Sequence, residues 1–283
     1  MKIIKLIAIV LCLSMVLCSF SACLGGGDTS ESGDKKDTSK AEVKETDKAE
    51  QTDLEYILEK GTLVVGVTRY KPMSYIDESG EWTGFDTEFA RLVADTLGVE
   101  VEFVEIDWDA KWDLLEKKQI DCVWNGLTLS TEAEDKALCT KPYVKNAQVV
   151  VTWKERTVEL SSVERLGRLP VAVEQMSAGL SAARSAGLNV IHYPYQEDAL
   201  TGFFNGGADA CIIDLTMARA VVGRGEYEDL GIAFSLTSEE YTIACRKGSD
   251  LCARINGIMD GLIADGTLPR LAQKYELTLT SEL

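Results

Sequence analysis

The chain has 283 residues, 46% of them hydrophobic, with 46 acidic against 29 basic side chains and a formal net charge of −17. So acidic a surface repels nucleic acid and anionic lipid, and no basic patch offsets it, so nucleic-acid binding is excluded. With one histidine, no His or Cys pair at metal-ligand spacing and no phosphate-cradling glycine loop, the pattern offers no metal site, no cofactor site and no catalytic constellation.

The first 22 residues read as an address. Lys2 and Lys5 form a basic start, and Leu6 to Leu17 is an apolar run broken only by Ser14. That run is too short for a comfortable membrane span and fits the hydrophobic region of a signal peptide over 1–22. Ser21-Ala22-Cys23 resembles the lipobox of bacterial lipoproteins, with Phe20 in place of the usual leucine. The resemblance implies cleavage before Cys23, lipid on its sulfur and a bilayer as partner on the extracytoplasmic face. Residues 24–52 are dominated by Asp, Glu, Lys, Ser and Thr after Gly25-Gly26-Gly27. Such a segment buries too little apolar surface to offset its ordering entropy and is expected to be a solvated tether.

From Thr62 onward, strand and helix patterns alternate. Thr62 to Val67 is a β-branched run, and Phe85, Phe89, Leu92, Val93 and Leu97 recur at helical spacing before Gly98. Val99 to Ile106 predicts a strand, Ala110 to Lys118 a short helix, and Ile120 to Trp124 a third strand. The rhythm restarts with strands at Gln148–Trp153, Leu169–Val173, Val190–Tyr193 and Ala210–Ile213. Helices are expected at Ala178–Ser185, Gln196–Phe204 and Thr216–Val222. A last strand, Tyr241–Cys245, leads to helices at Asp250–Ala264 and Leu268–Tyr275. Strands separated by helices imply mostly parallel sheets with helices on their faces. Two such series, with the chain's end left over, suggest two α/β lobes joined by two crossings. Ligands of α/β sheets sit beyond the carboxyl ends of strands, so two lobes face to face make a cleft.

Five cysteines fall in this part: Cys122, Cys139, Cys211, Cys245 and Cys252. An odd count argues against a complete disulfide framework, although Cys245 and Cys252 flank a short polar stretch and could close a small loop. His192 sits in a strand-like run and reads as a structural residue. Glu132, Glu134 and Asp135 form an acidic cluster read as facing water.

Several runs, in this order and spacing, carry a family resemblance. They are Gly61 to Val67, Gly80 to Asp86 (Gly-Glu-Trp-Thr-Gly-Phe-Asp), Ile120 to Thr128, Lys141-Pro142-Tyr143, Ala208 to Asp214 and Ala264 to Leu268. The stretch from Leu54 to Tyr275 resembles the family 3, amino-acid-type, solute-binding proteins of ABC importers. The resemblance implies the α/β two-lobed type II periplasmic-binding-protein-like fold, with two parallel-sheet lobes and a two-strand hinge. Lobe 1 is expected over 53–149 plus 240–283, and lobe 2 over 150–239. The implied activity is capture of an amino acid or related amine-bearing solute by a monomer, and delivery to an ABC permease, without catalysis. A cyclohexadienyl-dehydratase-like enzyme on the same fold is the alternative.

Six positions match the family's ligand pocket. Tyr70 and Trp108 resemble its aromatic platform, or are core packing. Gly126 and Thr128 match the loop after the third strand, where a carbonyl and a hydroxyl hold an α-amino group, although Gly126 serves turn geometry equally well. Ser177 matches the carboxylate-holding hydroxyl, or is only the N-cap of the next helix. Asp214 matches the partner of the α-ammonium, or caps a helix. The family's carboxylate-binding Arg is replaced by Ala133, and Met176 replaces the small Gly usual before Ser177. This leaves Asp214 as an unmatched carboxylate facing the cleft. A solute with an ammonium or guanidinium group, and tolerance for loss of its carboxylate, is the expectation. The other possibility is that Arg69, Lys71 or Lys111 supplies the missing charge.

Overall fold

The computed structural model describes residues 51–280. The signal peptide, Cys23 and residues 24–50 of the tether lie outside the described residues. The first element is α1 (Asp53–Lys60), started by a capping box in which Thr52 accepts from the Glu55 amide and the Glu55 carboxylate accepts from that of Thr52. Then come β1 (Thr62–Val67), a small hairpin of β2 (Tyr75–Ile76) and β3 (Trp82–Thr83), α2 (Phe85–Leu97) and β4 (Glu100–Glu105). A 3-10 turn over Trp108–Ala110 runs into α3 (Lys111–Glu116), followed by β5 (Cys122–Thr128), α4 (Thr131–Lys136), β6 (Leu138–Cys139) and β7 (Val144–Asn146).

The second series is β8 (Gln148–Trp153), α5 (Val163–Leu166), β9 (Pro170–Glu174), α6 (Ala178–Ser185), β10 (Asn189–Tyr193), α7 (Gln196–Phe204), β11 (Ala210–Asp214), α8 (Leu215–Val221) and β12 (Leu230–Ser235). The chain closes with β13 (Glu239–Cys245), α9 (Leu251–Ala264) and α10 (Thr267–Lys274).

These strands make two sheets. The first has the order β4-β1-β5-β13-β6, with β7 also on β13; the second has the order β10-β9-β11-β8-β12. The sheets are mixed rather than parallel throughout. β4, β1 and β5 pair in parallel, as do β10, β9 and β11, whereas β13, β8 and β12 run antiparallel to their neighbours. The reason lies in the crossings. β8 enters the second sheet directly from β7, and β13 returns directly from β12, so neither has the helical crossover that a parallel neighbour needs.

Each sheet carries its own apolar filling. Phe85, Phe89, Trp124, Tyr143 and Tyr241 are fully buried on the first, with the Phe89 ring edge-on to Trp124 at 4.8 Å between centroids. Val150, Leu160, Val171, Leu180 and Ile212 pack within the second. Helices α6 and α7 and strand β1 coincide with the sequence reading, whereas α1, the β2–β3 hairpin, α4 and β12 went unread. β12 is an edge strand whose alternation is broken by a register shift between Ile232 and Phe234. The third strand also runs to Thr128 rather than stopping at Trp124, so Gly126 and Thr128 stand in β5 itself and not in a loop after it. Among the described residues the five cysteines are free thiols, so no bond closes the Cys245–Cys252 loop.

Candidate functional site

A cavity of about 720 Å³ opens between the two sheets. Its wall is built from residues that follow the carboxyl ends of β1, β4, β9 and β11, together with the last turn of β5. All six residues singled out from the sequence line it: Tyr70, Trp108, Gly126, Thr128, Ser177 and Asp214.

At the base lies a pair of carboxylates. Asp214 stands at the N-cap position of α8, but its side chain makes no capping hydrogen bond; its buried carboxylate accepts hydrogen bonds from the carboxamides of Asn146, Gln148 and Gln196. It is therefore matched by three donors, contrary to the unmatched carboxylate expected from the sequence. Glu239 accepts from the same Asn146 and Gln148 nitrogens, at 2.6 and 2.7 Å, and from the Thr128 hydroxyl at 3.0 Å. A carboxamide nitrogen has two protons, so Asn146 and Gln148 each bridge the two acids. Burial, and then the charge of Glu239, push the Asp214 carboxyl up to about 7. No cation pairs with either acid among the described residues.

Tyr70 is buried, its hydroxyl bonded to those of Thr216 and Tyr241. Gly126 has φ +60°, and a Cβ there would sit 2.5 Å from the Tyr70 ring. Its glycine thus serves both the backbone turn and the approach of an aromatic wall. Its amide donates to the buried Asp86 carboxylate at 2.7 Å. Ser177 is the N-cap of α6: its hydroxyl accepts from the Leu180 amide at 3.1 Å and donates to the Glu174 carbonyl at 2.8 Å. Met176 beside it has φ +49°, a left-handed conformation suited to the glycine it replaces.

Trp108 does not stand free. The Lys111 ammonium lies 4.6 Å from its ring centroid and 5.2 Å from that of Trp112. Across the cavity Glu174 is buried, and burial, then the charge of Asp214, push it up to about 8. Glu239, Glu174, Asn146, Gln148, Gln196 and Trp112 escaped the sequence reading. The polar pair Asn146 and Gln148, at the crossing of two apolar strands, was the one legible signal. Among the described residues no cluster of His, Cys, Asp or Glu is arranged to hold a metal, and no helix is long and apolar enough to cross a membrane.

Residues 63–278 match the model of the bacterial extracellular solute-binding proteins, family 3. The chain belongs to that family. A probable amino-acid ABC transporter-binding protein of Haemophilus influenzae is 32% identical over 217 residues, 76% of this chain and 84% of the relative. Among solved structures, a mutant of ArgBP from T. maritima is 31% identical with a TM-score of 0.74, covering 79% of this chain and 99% of that one. The ancestral amino acid-binding protein AncCDT-1, a precursor of cyclohexadienyl dehydratase, is 29% identical with a TM-score of 0.73, over 79% and 99%. The two sheets and the cleft between them are thus the type II periplasmic-binding-protein-like fold of family 3.

Proposed function

We propose that this family 3 protein is the lipid-anchored, extracytoplasmic receptor of an ABC importer, and that its solute is a cationic amino acid or a closely related amine. The observation that carries the solute class is the Asp214–Glu239 pair. A buried acid and a half-buried one, cross-braced by shared carboxamides and lacking a cation among the described residues, are a pre-built receptor for an ammonium or guanidinium group. Preorganised amides keep both acids in place before the ligand arrives, so little ordering remains to oppose binding.

In this reading lobe 1 (53–149 plus 240–283) and lobe 2 (150–239) close on the solute, and the closed form presents to the permease. A ligand shifts that equilibrium only by its preference for the closed state. The Tyr195 hydroxyl donates to Asp107 at 3.1 Å, joining the second series to the first beside Trp108. Tyr70, Trp108, Gly126, Thr128, Ser177 and Asp214 are the binding residues we assign, with Glu239 added. The anchor is Cys23, and Cys23→Ser should release the mature protein from membranes; a wild-type N-terminus without lipid would end that part of the reading.

The solute class is tested by calorimetry with L-arginine, L-lysine and L-ornithine against L-glutamate and L-leucine. Preference for the acidic or the apolar amino acid would overturn it. Carboxyls raised to about 7 and about 8 are tuned for proton transfer near neutrality, which favours a dehydratase as the second reading. Incubation with prephenate and arogenate separates the two: we expect no product, and turnover would make this an enzyme.

A further inference from the structure

Lys111 is buried, 4% exposed, and lines the cleft. Its ammonium has three protons, yet it makes one hydrogen bond, to the Trp108 carbonyl at 3.0 Å, and no ion pair among the described residues. The indoles of Trp108 and Trp112 flank it, and Trp112 is itself held by the Glu132 carboxylate at 3.2 Å. Cation–π contact and one carbonyl leave two donors of a desolvated ammonium unused. Burial lowers the Lys111 amine, and the carboxylates of Glu132, Glu174 and Asp109 only partly counter this, as befits a cation with incomplete compensation.

The other candidates for a cationic contact are unsuited. Arg69 also lines the cavity but is exposed and already engaged by Glu105 at 3.0 and 3.3 Å, and Lys71 lies over the Tyr75 ring outside the cavity wall. Ala133 is buried in the first turn of α4 and offers no charge.

We propose that Lys111, held between Trp108 and Trp112, binds the solute's carboxylate, so that the cleft selects a solute carrying both an anion and a cation. This rests on the reading that the cleft binds an amino acid, and it reverses the tolerance for carboxylate loss expected from Ala133. Selection then comes from two separated receptors, Lys111 for the carboxylate and Asp214 with Glu239 for the cationic group. The tryptophans set the reach of the lysine, so the clamp is rigid although its side chain is long.

The test compares L-arginine with agmatine, which lacks the carboxylate, on wild-type protein, Lys111→Met and Lys111→Arg. Wild type should bind L-arginine about 10- to 100-fold tighter than agmatine, the range of a charge-assisted contact. Lys111→Met should lose most of that ratio by weakening L-arginine alone, with agmatine affinity unchanged or improved; Lys111→Arg should restore it. Agmatine binding also serves as the check that Lys111→Met is folded. A ratio that survives Lys111→Met overturns the clamp while leaving the cationic reading standing. If wild type instead binds L-leucine and not L-arginine, the cationic reading fails, and L-leucine against isoamylamine reads Lys111 in the same way. Wild type that binds no amino acid overturns both.

Discussion

Asp86 provides a stability experiment independent of the ligand. It lies in the first turn of α2, 1% exposed and outside the cavity wall. Its carboxyl accepts from the Gly126 amide at 2.7 Å and from the Tyr143 hydroxyl at 2.8 Å, with no cation opposite. Burial outweighs those hydrogen bonds and raises it from 3.8 to about 7. A carboxyl raised on folding holds its proton in the native state at pH values where the unfolded chain has released it. Its contribution to stability is therefore complete below about pH 4 and is lost as pH rises through 7. At about 1.36 kcal/mol per pH unit the full loss is about 4 kcal/mol, of which about 2–3 kcal/mol falls between pH 5 and pH 8. Asp86→Asn keeps the shape and an acceptor for the Gly126 amide but cannot ionise. Urea unfolding at pH 5 and pH 8, without ligand, should show the wild type losing about 2–3 kcal/mol more than Asp86→Asn across that interval. Asp214 and Glu174 are raised in the same direction, so the variant should retain some pH dependence. Equal losses in the two proteins, within about 0.5 kcal/mol, would refute the assignment of this linkage to Asp86.

Gly126→Ala should destabilise by about 2–4 kcal/mol and weaken binding, because a left-handed φ and a collision with the Tyr70 ring act together; thermal unfolding reads it, and a neutral result would mean that the ring moves aside. Met176→Gly relieves a left-handed methionine and should leave stability unchanged or raise it by up to about 1 kcal/mol, whereas a loss above about 1 kcal/mol would show that its side chain supports the cleft. Thiol titration of residues 51–283 in denaturant should count five free thiols, since Cys122, Cys139, Cys211, Cys245 and Cys252 are all unbonded; a count of three would reveal a disulfide, with Cys245–Cys252 the pair to map.

The sequence by itself determined the fold class and the approximate course of the strands that carry the site, though not where β5 ends. Periodicity of 3.6 placed α6 and α7, and β-branched runs placed β1 and β8, because burying one face of a helix or sheet leaves a repeating local mark. Tyr70, Trp108, Gly126, Thr128, Ser177 and Asp214 were reachable only through the resemblance to family 3, whose pocket positions they match. Glu239 leaves no comparable mark. Glu239 reaches Asp214 only because β13 returns to the first sheet, which brings residue 239 next to Gln148 and Asn146 at the crossings. Lys111 was one of three basic residues that could supply the missing charge, and only folding set its ammonium, rather than Arg69 or Lys71, between two indoles. Only the tertiary structure decided these charges, since whether a carboxyl or an amine is matched depends on burial and on partners as far as 111 positions away along the chain.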